Sequence, residues 1–457
     1  MNDDVTSARP HLVTPAAAME NHKGCRWRGL NHVLPLPCPG GKSFPSIRFA
    51  IDIMTFISHI LPPLLGYFFA AVLAVTPQTH TLRVALWPVV TLFALRAAVS
   101  VDMSLGEPDR KFRNTSFIVS FSFLMNSTQI VESRSLLHPQ FSMILIATRT
   151  FDWTLEKGPL ARHLRPAKDS KSTIMDALDL ASTSRGYGWD WSDGVYIPRD
   201  TRPTNHREFM FHVILSAAFH AFFCGVLQCA IRSFSPMGFG SLSGGSIFDE
   251  TLPFHVRYPR ACIISIFATL EIYAGLQTCY DACTITAVLV FGQDPAQWPP
   301  AFDAPWCSTS LCEFWGRRWH QFFRRMFLIQ GSYPLSFVLG RVGFIIGAFL
   351  SSGVLHHITM ISLDDKSESW GILVGFGMMA PGVLAERASK QFTGEKVGGT
   401  VGWIWTMAWL LLWGNMIVDA YARAGAFGHF NFFASVVPGQ ATMERLVANF
   451  DTWLHTM

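Results

Sequence analysis

The chain has 457 residues, of which 50% are hydrophobic and only 15% charged, and its formal net charge is +4. A soluble domain carries about 25% charged residues, and here the apolar residues gather in blocks close to the ~20 residues that cross a bilayer. This composition excludes an ordinary soluble enzyme, and so small a positive excess makes no case for a nucleic-acid partner.

In chain order, residues 1–50 hold prolines, glycines and basic residues but no apolar leader segment, which predicts an N-terminal cytosolic tail. Residues 51–457 read as one membrane-embedded domain. Spans are predicted at 56–76 and 82–101, kinked at Pro62, Pro63 and Pro88. A charged link follows, then a more polar third span at 115–131. The apolar run 136–147 is too short to cross and predicts an interfacial or re-entrant piece. A long polar stretch covers 148–208. Further spans are expected at 209–231, 261–291, 333–355, 369–388 and 399–420, separated by a Gly/Ser-rich loop at 233–255 and a loop at 292–332. The 261–291 run is too long for one upright span, so tilt or a break near Gly275 is expected. The count comes to about eight helices in an all-α polytopic protein. No internal repeat is visible.

Lys and Arg collect in the tail, in 102–113, in 148–208 and in 292–332, and are absent from 233–255. The positive-inside rule then places the basic set in the cytosol. Nine cysteines occur, none as CxxC, which reads as packed thiols and not as a disulfide or zinc framework; no metal is expected. The sequons at Asn114 and Asn126 lie in or beside a predicted span and are expected to be unused.

Two segments carry chemistry. Ser310–Arg325, SLCEFWGRRWHQFFRR, concentrates arginines, tryptophans and a histidine between apolar regions. Taken as a helix, it sets Arg317, His320 and Arg324 on one face and Arg318, Gln321 and Arg325 on the next. Glu313 then stands four residues before Arg317, in the favourable order for an ion pair, with Trp315 and Trp319 on a flank. Two readings stand: an arginine array that holds phosphates bidentately, or a basic interfacial helix with a Trp belt. The second segment is Ser352-Gly353-Val354-Leu355-His356-His357, a histidine pair at the end of an apolar run. Ser352 and Gly353 leave space beside an imidazole suited to take a proton from a hydroxyl. Its alternative is a helix-end histidine that bonds a carbonyl or headgroup. His212 and His220 lie in a span and read as packed polar residues. The stretch Arg185–Trp191, RGYGWDW, has two glycines that permit a tight turn.

These residues resemble a known family. Phe314-Trp315-Gly316-Arg317-Arg318-Trp319-His320 followed by Ser352-Gly353-Val354-Leu355-His356 is similar to the wax-synthase-like branch of the membrane-bound O-acyltransferases. Asp294-Pro295-Ala296-Gln297-Trp298-Pro299-Pro300 and the RGYGWDW stretch resemble its fungal members, many of which acetylate terpenoid or other specialised-metabolite alcohols. The likeness covers roughly 180–360. It implies a helical membrane bundle with an internal tunnel, resident in the endoplasmic reticulum membrane. It also implies acyl-CoA, of acetyl type, as co-substrate, with no permanently bound cofactor, and a small-molecule alcohol as acceptor. The family's intramembrane histidine maps onto His356, with His357 one residue away. The second motif position, asparagine in many relatives, maps onto His320, expected to polarise the thioester carbonyl or position the acyl group. CoA contact falls on Arg317 and Arg318, with Trp319 and Gln321 beside them. The expected reaction is direct transfer, because no activated Cys or Ser constellation appears. The competing expectations are a long-chain-alcohol O-fatty-acyltransferase, a transporter or lipid-binding membrane protein, and a membrane terpene cyclase using Glu271 or Asp281.

Overall fold

The computed structural model describes residues 54, 56–100, 139–165, 172–183, 185–192, 194–361, 370–429 and 433–456. The predicted tail, the predicted span at 115–131 and both sequons lie outside the described residues. Among the described residues the protein is helical, with one isolated β-bridge, Arg162 to Trp189.

The first group comprises α1 (Leu61–Val75), α2 (His80–Ser100), α3 (Pro139–Leu155) and α4 (Thr173–Ser182). Pro62 and Pro63 fall at the start of α1, where missing amide hydrogens cost nothing. Pro88 lies inside α2. The run expected to be short continues to Leu155, because Arg149 and Asp152 on α3 find partners inside the protein. These helices close around Tyr67, Trp153, Trp189 and Trp191.

The second group is α5 (His206–Phe234) and α6 (Phe254–Leu289). Asn205 starts α5 by accepting the Arg207 N–H at 3.0 Å. α6 runs unbroken through Gly275, so no break absorbs its excess; at about 1.5 Å per residue, tilt is the remaining solution.

The predicted upright span 333–355 is a correction. Helical turns at Arg324–Phe327 and Leu328–Ser332 lead into the helix Tyr333–Ile361, and the backbone reverses at Gly340, φ 58° and ψ −137°. Only glycine adopts that conformation without cost. The result is a hairpin with arms α7 (324–339) and α8 (341–361). Its register is legible in three contacts. A Cβ on Gly343 would strike the Leu335 carbonyl, Cβ atoms on Gly331 and Gly347 would strike each other's carbonyls, and Ser351 Oγ donates to the Phe327 carbonyl at 3.3 Å. The pairs step outward evenly from the turn, as antiparallel arms must, and small residues let the backbones meet.

The predicted span 369–388 is two helices, α9 (Trp370–Gly377) and α10 (Met379–Thr393), and α11 (Gly399–Arg423) completes the set before a final α12 (Gln440–His455). Of the about eight spans expected, one lies outside the described residues; among those described, six segments are long and apolar enough to cross a membrane, and one of them, Arg324–Met360, contains the hairpin. No disulfide joins the described cysteines.

Candidate active site

The register of the hairpin sets position 356 of α8 level with position 322. His356 is thereby delivered beside the segment that carries His320, 36 residues earlier in the chain. The two rings are linked through three others: His320 packs on Trp319, Trp319 on Trp315, Trp315 on Phe376, and Phe376 on His356.

The segment around His320 is not the continuous helix expected. A helical turn Leu311–Glu313 widens into a π-helix, Phe314–Arg318, and then ends, with Trp319 extended at φ −76° and ψ 151°. The wider turn places residue i+5 over residue i: the Trp319 N–H donates to the Phe314 carbonyl at 2.9 Å. It also replaces the expected Glu313–Arg317 pair. Arg318 Nε donates to Glu313 at 2.7 Å, and Arg318 Nη1 to the Asp303 carbonyl at 2.9 Å. Although burial alone would raise it, the Thr309 N–H and Arg318 hold the Glu313 carboxyl below its ordinary range. With the helix broken, Arg317, His320 and Arg324 share no face. Arg317 is exposed and lies 5.6 Å over the Tyr196 ring, with no carboxylate partner among the described residues.

Gln321 is buried, and its amide hydrogens go to the carbonyls of Trp315 (3.0 Å) and Trp319 (2.8 Å). It splints the broken backbone, as the internal accounting of polar groups requires. The tryptophans are not a flank. Trp315 packs with Phe349 and Phe376, and Trp319 with Phe302 and Phe314.

His320 stacks on Phe322 at 4.9 Å and meets Phe302 edge-on at 5.7 Å. Its Nδ1 is buried without a hydrogen-bond partner. Burial first, then the charges of His356 and Arg185, pushes its pKa down to about 3, so the imidazole is neutral. His356 stacks flat on Phe376 of α9, at 4.6 Å and 5°, and its Nδ1 lies 3.0 Å from the Tyr421 hydroxyl of α11. The space expected beside Gly353 is taken by Phe376.

The RGYGWDW stretch closes the site from the first group of helices. Arg185 is buried and donates to the carbonyls of Pro299 (2.6 Å) and Pro300 (2.7 Å) and to the Tyr280 hydroxyl (2.7 Å). Its guanidinium also lies over the rings of Tyr280 and Phe322. No carboxylate pairs with it among the described residues. At the other end of the stretch, the Trp191 carbonyl accepts from Arg325 at 2.8 Å, and Arg325 grips Asp152 of α3 with three contacts of 2.7 to 2.9 Å. All four sequence motifs therefore converge on one aromatic cluster. Tyr421 and Phe376 escaped the sequence reading: each lies on a separate helix with no local pattern to mark it.

Residues 298–378 match the family described as "Membrane bound O-acyl transferase family", and that window contains both histidines. This match, with the relatives that follow, fits the wax-synthase-like branch of the membrane-bound O-acyltransferases. Among curated proteins it is similar to Acetyltransferase ple2 of Rhodocybe pseudopiperita, 25% identical over 51% of this chain and 62% of that protein. It is also similar to Acetyltransferase sirH of Emericella nidulans, 25% identical over 64% of this chain and 71% of that protein. A plant relative, the Long-chain-alcohol O-fatty-acyltransferase of Simmondsia chinensis, is 27% identical over 33% of this chain and 47% of that protein. The likeness thus spans less than two thirds of the first and third of these relatives. Arg185 and Tyr421 lie outside the window that the family description matches.

Proposed function

We propose that the chain transfers an acetyl group from acetyl-CoA to a hydroxyl of a terpenoid or related specialised metabolite, within the endoplasmic reticulum membrane. The observation that carries this reading is the placement of His320 and His356 on one cluster of rings, Trp319, Trp315 and Phe376, with His356 Nδ1 3.0 Å from the Tyr421 hydroxyl. The names of the fungal relatives support acetyl as donor.

In this reading His356 Nδ1 keeps its proton and donates it to the Tyr421 oxygen, leaving Nε2 as the base. Nε2 takes the acceptor's hydroxyl proton while that oxygen attacks the thioester carbonyl carbon. Neutral His320 donates a hydrogen bond to the oxyanion, a contribution often larger than base catalysis itself. The carbon–sulfur bond breaks, and the thiolate of CoA recovers the proton from His356. Arg317, exposed and without a carboxylate partner among the described residues, meets the CoA phosphates; Arg318, Trp319 and Gln321 hold the loop that presents it.

The test is acyl transfer in microsomes with labelled acetyl-CoA and palmitoyl-CoA offered against terpenoid and fatty alcohols. Acetyl transfer to terpenoid alcohols is expected. A strong preference for palmitoyl-CoA with fatty alcohols would move the assignment to wax-ester synthesis, the activity named for the plant relative. Incubation with labelled acetyl-CoA alone is expected to leave the protein unlabelled, since transfer is direct; a stable acyl-enzyme would contradict the mechanism. Tyr421→Phe is expected to lower kcat by about tenfold with the KM for acetyl-CoA unchanged, the scale of one lost orienting hydrogen bond. An unchanged kcat would remove Tyr421 from the mechanism.

A further inference from the structure

A second polar group borders the same aromatic cluster. Tyr273, Gln277 and Tyr280 stand at i, i+4 and i+7 on one stripe of α6. Tyr280 stacks on Phe322, which stacks on His320. At the other end of the stripe Tyr273 meets Phe302 edge-on at 4.8 Å, and Phe302 meets His320. Both ends of the stripe thus reach His320 through a single ring.

Across from the stripe, α5 contributes Ser216 and His220. Ser216 Oγ donates to Asp281 at 2.6 Å, and Gln277 Nε2 donates to Asp281 at 2.8 Å. His220 Nδ1 lies 2.8 Å from the Ser216 carbonyl, and its ring meets Tyr273 edge-on at 5.6 Å. His212, by contrast, is exposed. The Asp281 carboxylate, 2% exposed, is satisfied by these two donors, which answers for it as a structural group and not as a free proton donor of cyclase type.

Three atoms remain unused: His220 Nε2, Gln277 Oε1 and the Tyr273 hydroxyl. None has a protein partner among the described residues, and none is sealed from accessible space. All three side chains are half-buried. Polar atoms at membrane depth are costly unless something meets them. A bare alkyl chain would leave all three unpaired.

We propose that His220, Gln277 and Tyr273 form a subsite for a second oxygen of the acceptor, so that the preferred substrate is a polyoxygenated alcohol and not a simple alkanol. This rests on the acyl-transfer reading above. A site built to hydrogen-bond a substrate oxygen discriminates strongly against the analogue that lacks it.

The experiment uses the full chain in microsomes, with acetyl-CoA and two matched pairs: 1-dodecanol against 1,12-dodecanediol, and 3,7-dimethyloctan-1-ol against 3,7-dimethyloctane-1,7-diol. The diol of at least one pair should show the higher kcat/KM, by about tenfold, well above the twofold that a second reactive hydroxyl gives by statistics. Tyr273→Phe, which keeps the ring contacts, should collapse that ratio, as should His220→Phe. A purely structural role would lower diol and monol alike and leave the ratio standing. Monols that match or exceed the diols in both pairs overturn the subsite, as does a ratio unchanged in both variants. Absence of transfer to all four alcohols from acetyl-CoA and palmitoyl-CoA alike sinks the acyl-transfer reading, and this proposal with it.

Discussion

His356→Ala is expected to lose nearly all acyl transfer, a fall of about 10²–10⁴-fold, while the protein still inserts in membranes. The size follows from the role. A positioned general base is worth that factor, and no neighbouring group can substitute, because the ring is fixed between Phe376 and Tyr421. His357→Ala is the matched control. On a helix the next residue points about 100° away, so His357 cannot occupy the slot beside Phe376, and its loss should cost little turnover. Initial rates with acetyl-CoA on both variants, at matched protein level in membranes, decide it. Robust turnover in His356→Ala, or loss only in His357→Ala, would reassign the base.

The second large effect is expected at Arg185. Arg185→Met should strand the Pro300 carbonyl, at about 1–3 kcal/mol, and leave the Pro299 carbonyl and the Tyr280 hydroxyl with only the bond they make to each other. It should also loosen the floor under Phe322, and with it His320. Together these predict a marked drop in the thermal inactivation midpoint and activity down by more than about a hundredfold, since small misplacements of a catalytic group carry penalties of that order. Arg185→Lys is expected to rescue poorly, because an ammonium cannot reproduce the planar fork that reaches two carbonyls and a hydroxyl at once. A lysine variant with wild-type midpoint and rate would show that charge alone, not geometry, is what the position needs.

Much of this was legible in the sequence. The spans at 56–76, 82–101, 209–231 and 399–420 correspond closely to α1, α2, α5 and α11, because lipid contact writes its requirement into every residue of a window. The motifs were legible as residues but not as an arrangement. Nothing local announces that the helix after Phe314 widens and ends at Trp319; no proline or glycine closely follows it, and the Gln321 amide that bonds the Trp315 and Trp319 carbonyls looks in the sequence like any polar residue of an amphipathic helix. The reversal at Gly340 did leave a trace, a Gly-Arg step inside an apolar run, but a hydropathy window averages it away. Tyr421 could not be found from sequence, since a tyrosine at the end of a span acquires meaning only from the histidine 65 positions earlier that packs against it.

The hairpin also changes how sides are counted. A stretch of 37 residues, Arg324–Met360, reads by hydropathy as one passage from one compartment to the other. Arms that run out and back through Gly340 return the chain to the face it left, so the parity of every later segment shifts by one. The loop bearing Arg317 and the start of α9 then share a compartment, and both histidines stand at the open end of the excursion. The apolar tip at Phe337 and Val338, 89% and 79% exposed, faces the opposite way.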